Sequence, residues 1–294
     1  MFFVSRLLLF LSKIVIMMVS HRIVLISALT LCSFVSIAQK NVDVNGVSHI
    51  SKPIQAGLTM HSGVNMVTPG LVQYLDKKDG LSSNFGVGML FVKSFKSSPN
   101  LGFQSGLEFD FDKISYESRK NIYYDYKLNV IQTNVLSDST CIRFKMDSRK
   151  QSTILATVPL FLVFRTQYIG DFRYFGKFGL RNSILLKNSI NDLGAIVDTA
   201  FNIDVQNVEN IRFENPSETF LYRGTVGVSA GAEWKFIEST SLVAEIGYHY
   251  GFTPLYLQRK DDKRTLYEVE NGQRSYFSNK ANLNQFLFKI SILF

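Results

Sequence analysis

Gln285-Phe286-Leu287-Phe288-Lys289-Ile290-Ser291-Ile292-Leu293-Phe294 alternates with period two, putting Phe286, Phe288, Ile290, Ile292 and Phe294 on one face and Gln285, Leu287, Lys289, Ser291 and Leu293 on the other. Successive side chains of a strand point to opposite sides, so the pattern predicts a strand with one aromatic, branched face and one mixed face. The same plan recurs upstream. Leu242, Ala244, Ile246, Tyr248, Tyr250 and Phe252 alternate with Val243, Glu245, Gly247, His249 and Gly251. Val226, Val228, Ala230, Ala232, Trp234 and Phe236 alternate with Thr225, Gly227, Ser229, Gly231, Glu233 and Lys235. Segments 54–66, 85–95, 101–111, 154–165 and 177–186 repeat it, with 154–165 the least clean because Leu155, Phe161 and Val163 share its second face. The expectation is eight antiparallel strands of about 12 to 16 residues.

The connections alternate as well. Lys96 to Asn100, Thr166 to Phe172 (with Gly170-Asp171) and Ile237 to Thr240 read as tight turns. Pro69 to Ser82, 118–152, 187–219 and 254–280 read as long loops. The second keeps strand-like alternation through Tyr116, Tyr123-Tyr124, Tyr126, Leu128, Val130 and Ile131, and reads either as a hairpin extension above the membrane, an edge for partners, or as a plain solvated hairpin. Short and long connections in strict turn are the order of an outer-membrane barrel with short periplasmic turns and long external loops. No linker or composition break divides residues 54–294, which read as one domain.

Composition narrows the classes. A chain of 294 residues with 46% hydrophobic and 19% charged residues is too apolar to be disordered. The net charge of +8 contains no basic run, which argues against nucleic acid as a partner. With only Cys32 and Cys141, neither a disulfide framework nor a cysteine metal site is expected. Residues 1–38 read as a secretory signal peptide: basic His21-Arg22, the apolar run Ile23 to Val35, and small residues at Ser36 and Ala38. The apolar stretch before Met17-Met18 suggests a misassigned upstream start, and 39–53 a short periplasmic segment. Beyond residue 50 no run reaches the 18 or so apolar residues of a helical span.

Volume decides which face lies inside. The apolar face carries Phe85, Phe91, Phe103, Phe109, Phe111, Phe178, Trp234, Phe286 and Phe288 among many rings. An eight-stranded interior holds little beyond its own side chains or one small ligand. The aromatic face is therefore expected in lipid, with Tyr222, Trp234, Phe236, Tyr250 and Phe252 near the interfaces. The inward set then includes Glu108, Arg165, Lys177, Arg181, Glu233, Glu245 and Lys289. Mixed signs at that density predict a paired plug rather than an open pore, since an unpaired buried charge is costly. Glu233 and Glu245 flank one tight turn and are expected to form one cluster neutralised by Lys177 and Arg165.

No catalytic pattern of the Gly-x-Ser-x-Gly, His-Glu-x-x-His or Walker type occurs. His61 and His249 read as lone lumen side chains rather than metal ligands. Asp76, Asp79, Asp125 and Ser139 fall in loops without a rim histidine. No catalytic residue, cofactor or metal is expected, and the chain reads as a non-enzyme.

Residues 54–294 resemble the PorT-like and related small outer-membrane β-barrels of Bacteroidota. The residues carrying this are Gly57 to Asn65, Val158-Pro159-Leu160-Phe161-Leu162, Gly227 to Trp234, Ala244-Glu245-Ile246-Gly247-Tyr248 and the final Phe294. Pro159 is the most distinctive. The resemblance implies an outer-membrane location and, for some members, an accessory role in protein secretion and gliding. It implies that Phe294 is read by the barrel assembly machinery. Expected partners are outer-membrane lipid, that machinery and secretion-system proteins. The alternatives are a small pore or surface adhesin, and further off a barrel hydrolase or acyltransferase.

Overall fold

The computed structural model describes residues 54–68, 75–77, 82–95, 97–127, 130–131, 141–197, 204–214, 219–237, 240–256, 265–270, 272–277 and 281–294. The expected signal peptide and the segment 39–53 lie outside the described residues. In chain order the strands are β1 (Ile54–Thr68), β2 (Leu75–Lys77), β3 (Ser83–Phe95), β4 (Ser98–Lys127), β5 (Val130–Ile131), β6 (Ile142–Arg165), β7 (Phe172–Val197), β8 (Asp204–Glu214), β9 (Tyr222–Ile237), β10 (Thr240–Gly251), β11 (Tyr267–Glu270), β12 (Gln273–Tyr276) and β13 (Asn282–Leu293). Eight of them, β1-β3-β4-β6-β7-β9-β10-β13, close a ring in which β13 pairs back onto β1 and every neighbour is antiparallel. Closure leaves this ring without an open edge.

The strand ends flank the three expected tight turns: β3 ends at Phe95 and β4 begins at Ser98, β6 ends at Arg165 and β7 begins at Phe172, and β9 ends at Ile237 and β10 begins at Thr240. In the turn between β6 and β7, Ile169 bridges Phe172 and Gly170 has φ +62°, a backbone conformation that glycine adopts without a Cβ penalty. Pro159 explains an irregularity in the middle of β6. It offers no backbone N–H, and the ladder to β4 skips from Ser105↔Leu160 to Glu108↔Thr157 around it.

The aromatic face points outward. Phe91 is 50% exposed, Phe178 53% and Phe288 49%, and the other rings of that face lie in the same outward belt. Facing water, a belt so apolar on every ring strand would be an aggregation surface; facing lipid, it spans a bilayer. The eight-stranded antiparallel up-and-down barrel is therefore transmembrane. Its short turns at one end and long connections at the other are the arrangement of the bacterial outer membrane.

The strands are longer than the sequence suggests. β4 has 30 residues, β6 24 and β7 26, against the roughly 9 to 11 that cross a bilayer. Within 118–152 the strands follow the hairpin extension that the alternation there suggests, and 187–219 and 254–280 are also partly strand rather than loop: β4 runs on to Lys127, β6 begins at Ile142, β7 continues to Val197, and β8, β11 and β12 are added. The reason lies in β4. Its even-numbered residues point inward from Gly102 to Tyr116 and again at Ile122 and Tyr124, but the polarity inverts at residues 112–114. Below, Phe109 and Phe111 face out while Glu108, Asp110 and Asp112 are buried; above, Lys113 and Glu117 face out while Ile114, Tyr116, Ile122 and Tyr124 are buried. The outside solvent changes from lipid to water at that level, and the burial rule changes with it.

Above this level β12-β11-β4-β6-β7-β8 form a sheet that continues three barrel strands. Phe144, Met146, Ile190, Phe213, Leu255, Tyr256, Leu266 and Leu283 pack there with the apolar residues of β4 into one buried core. This is an external head with the interior of a soluble domain.

Candidate functional site

Period-two alternation aims one residue in two at the barrel axis, and that axis is filled by charged side chains held in pairs. At the short-turn end Glu233 accepts bonds from Arg173 Nε at 2.7 Å and Nη2 at 2.9 Å, and from the Tyr168 hydroxyl at 3.0 Å. Lys177 Nζ donates to Glu245 at 2.6 Å. Arg165 donates to Ser94 Oγ at 3.3 Å. Among these charges Leu90, Val92, Val163, Phe175, Val243 and Leu293 form a small apolar cluster. The space left between cluster and ion pairs is about 10 Å³, room for about one water.

Mid-barrel, Arg181 is the hub and is 1% exposed. Its Nη2 donates to Glu108 at 2.9 Å and to Asp110 at 2.9 and 3.0 Å, and its Nη1 to Gln285 at 3.3 Å. Lys289 Nζ reaches the other oxygen of Glu108 at 2.6 Å, and Thr157 donates to Asp110 at 2.6 Å. Asp112 is held by Arg223, Asn84 and Asn65. Three buried carboxylates thus meet three buried cations. Glycine makes the space: a Cβ on Gly86 would collide with the His61 ring, and one on Gly227 with His249.

The head is tied down in the same way. Arg149 and Asp192 form a buried pair through two nitrogens, Nε at 2.9 Å and Nη2 at 2.7 Å. Tyr256 donates to Gln151 at 2.7 Å. Asp125 accepts from Tyr267 and Arg274, both at 2.7 Å. Burial, and then the hydrogen bond to Asp125 with the charge of that carboxylate, raise the Tyr267 phenol above its usual pKa of 10.0. The folded state therefore prefers the neutral phenol. The stability it lends is complete below about pH 10 and is lost as pH rises through the raised value. A tyrosinate absorbance difference titration of the protein against Tyr267→Phe should show one phenol ionising well above pH 10; ionisation at the ordinary value would contradict the buried bond.

All seven charges singled out in the sequence are buried in the lumen, but not as one group. Glu108, Arg181 and Lys289 belong to the mid-barrel cluster; Lys177 and Glu245 pair as expected. Glu233 instead takes Arg173, and Arg165 serves Ser94, so the two carboxylates do not share a cluster fed by Lys177 and Arg165. In the register Glu233 stands opposite Val243, and Glu245 opposite Gly231. Arg173, Asp110, Asp112 and Arg223 were the missing partners. Each has the inward parity of a recognised neighbour: Arg173 is four residues before Lys177, and Asp110 and Asp112 follow Glu108 by two and four.

His61, Glu108 and Asp110 bring possible metal-donor atoms within 4.8 Å of one another, and His61 Nε2 lies 2.9 Å from Asp110. Both carboxylates are already held by Arg181 and Lys289, so a divalent cation there would meet two fixed positive charges. His249 is buried against the edge of Phe161. Asp125 is a structural acceptor, while Asp79, Ser139 and His49 lie outside the described residues. Phe294 directly follows β13 in the chain and is partly exposed.

No family model matches the sequence. No curated protein matches it either. Among solved structures, the chain is similar to the outer membrane protein OprG from Pseudomonas aeruginosa (9% identity, TM-score 0.36, 82% of this chain and 93% of that one). It is also similar to a major outer membrane protein from Thermus thermophilus (14%, 0.34, 81% and 99%) and to the outer membrane protease OmpT from Escherichia coli (11%, 0.34, 85% and 98%).

Proposed function

We propose that this protein works without chemistry, as an outer-membrane assembly or interaction component whose external head does the recognising. One observation carries the reading: the lumen is packed with mutually neutralised side chains, whereas β4, β6 and β7 continue beyond the membrane into a head with its own core. A barrel built to conduct would leave its axis wet. Here the inward carboxylates at both levels commit their acceptors to arginine and lysine. Within this class, the accessory role in secretion implied by resemblance to the PorT-like barrels is the specific role proposed. The pore is the second reading, and surface adhesion a variant of the first.

Planar-bilayer recordings of the purified full chain should give negligible conductance. Replacing Glu233 and Glu245 together by alanine should leave it negligible, because the mid-barrel cluster closes the axis independently; a large, steady conductance from the unmodified protein would promote the pore. Deleting the gene and quantifying proteins in the medium separately tests the secretion role. Unchanged secretion alongside a closed lumen would remove that role and leave adhesion.

A further inference from the structure

We propose that the outer wall of β7 and β9 is the contact face of a homodimer, in which the Asn182 side chains of two copies pair amide to amide inside the hydrocarbon. Asn182 occupies an outward position of β7 between Leu180 and Ile184, and it pairs with Val158 on β6 and Gly224 on β9. Its surroundings are apolar and turned to lipid: Ile184 is 61% exposed and Val158 41%. Phe111, Ile154 and Lys187 pair in a row at the top of the lipid belt. Val158 follows Ile154 down β6 by four residues, which is about 13 Å of strand and roughly 10 Å of depth at the usual tilt. An amide at that depth has no water.

The amide is only half used. The Tyr222 hydroxyl donates to Asn182 Oδ1 at 2.7 Å, and Asn182 makes no other side-chain hydrogen bond among the described residues. Gly224 leaves room for this contact, since a Cβ there would collide with the Phe252 ring and crowd the Tyr222 hydroxyl. Exchanging the oxygen and nitrogen of the amide changes nothing: a phenol donates or accepts, and one end stays unpaired either way. An unpaired amide in hydrocarbon is costly, and lipid tails offer it no acceptor. A second copy does. Copies in one membrane stand at one height, so a two-fold axis along the membrane normal brings Asn182 to Asn182 of the second copy. Each Nδ2 then donates to the other Oδ1, which has a lone pair beyond the one that Tyr222 uses. Side-chain amides join membrane-spanning segments in this way. The neighbouring strand allows the approach, because between Tyr222 and Trp234 the outward positions of β9 hold only glycine, valine and alanine.

The inference rests on the membrane placement but not on the secretion role. To test it, donor- and acceptor-labelled full chain is reconstituted in phosphatidylcholine vesicles over a range of protein-to-lipid ratios, and association is read by energy transfer. The unmodified chain should dimerise. Asn182→Leu should weaken the dimer roughly tenfold, the effect of a membrane-buried hydrogen-bonded pair, whereas Asn182→Gln, which keeps an amide, should retain most of it. Heat-modifiable gel migration should show that both variants fold. In a Cys32→Ser, Cys141→Ser background, Asn182→Cys should cross-link to a dimer under copper phenanthroline, and Met60→Cys, on β1 across the ring, should not. A chain monomeric at every ratio overturns the proposal, and the amide then answers to lipid instead. Undiminished association of Asn182→Leu, or cross-linking of Met60→Cys as fast as Asn182→Cys, overturns it too. If the unmodified chain does not enter vesicles at all, the membrane placement fails first and this inference falls with it.

Discussion

Arg181→Met will cost about 3 to 5 kcal/mol of barrel stability, more than any other single truncation in the lumen, because it leaves two buried carboxylates without their common cation. Arg181 is 1% exposed, and Glu108 is not exposed at all. Asp110 depends on Arg181 for two charge-assisted bonds. Lys289 still reaches Glu108 after the change, but among the described residues no lysine and no other arginine forms an ion pair with Asp110. The prediction is checked by reversible urea unfolding in lipid vesicles. A double variant, Arg181→Met with Asp110→Asn, should recover part of the loss, since it removes the stranded charge along with its partner. If Arg181→Met costs no more than a surface substitution, the lumen is wet, and the closed-barrel reading falls with it.

How legible was this in the sequence? Below the inversion level, very legible. In the segment ending at Phe111 and the one ending at Ile292, aromatic and branched residues at every second position identify the lipid face directly, since lipid leaves no other interpretation for so many rings on so small a barrel. The pattern was lost at Lys113 because a search for apolar residues on the odd positions of β4 finds lysine, serine and glutamate there. Up to Tyr116 parity had not changed; only the solvent had. Ile114, Tyr116, Ile122 and Tyr124 carry the apolar signal onto the even positions, with a register shift between Glu117 and Ile122 that breaks simple counting. Ion pairing was less legible than facing. Parity puts Glu233, Arg173 and Lys177 all inward, but which cation a carboxylate takes depends on inter-strand register, and that Arg173 stands directly opposite Glu233 is fixed only when β7 meets β9. Of the head's core, only the β4–β5 hairpin with Tyr116, Tyr124, Tyr126 and Ile131 was legible, as a strand-like alternation above the membrane. Phe213, Leu266 and Leu283 come from segments far apart in the chain, and only the folded head joins them.

The second large effect separates the two faces of one strand. Ile290→Arg places a guanidinium in the hydrocarbon belt of β13, where Phe288 and Ile292 flank it along the same face and Met60 and Ala244 oppose it on the neighbouring strands. A charge there has no partner among the described residues and no water, so a loss of roughly 2 to 4 kcal/mol is expected at mid-span, less if the side chain reaches an interface. Lys289→Gln, one residue away, alters the opposite environment. It removes one of two cations on Glu108 while Arg181 remains 2.9 Å from that carboxylate, and the glutamine amide can still donate. Its cost should therefore be smaller than that of Ile290→Arg, although Lys289 is buried and Ile290 is not. In a water-soluble barrel the order would reverse, because Ile290 would face solvent and tolerate arginine. Measuring both variants in the same vesicles thus tests which way the barrel faces without reference to its partners: equal costs, or a larger cost at Lys289, would mean that the aromatic face does not lie in lipid.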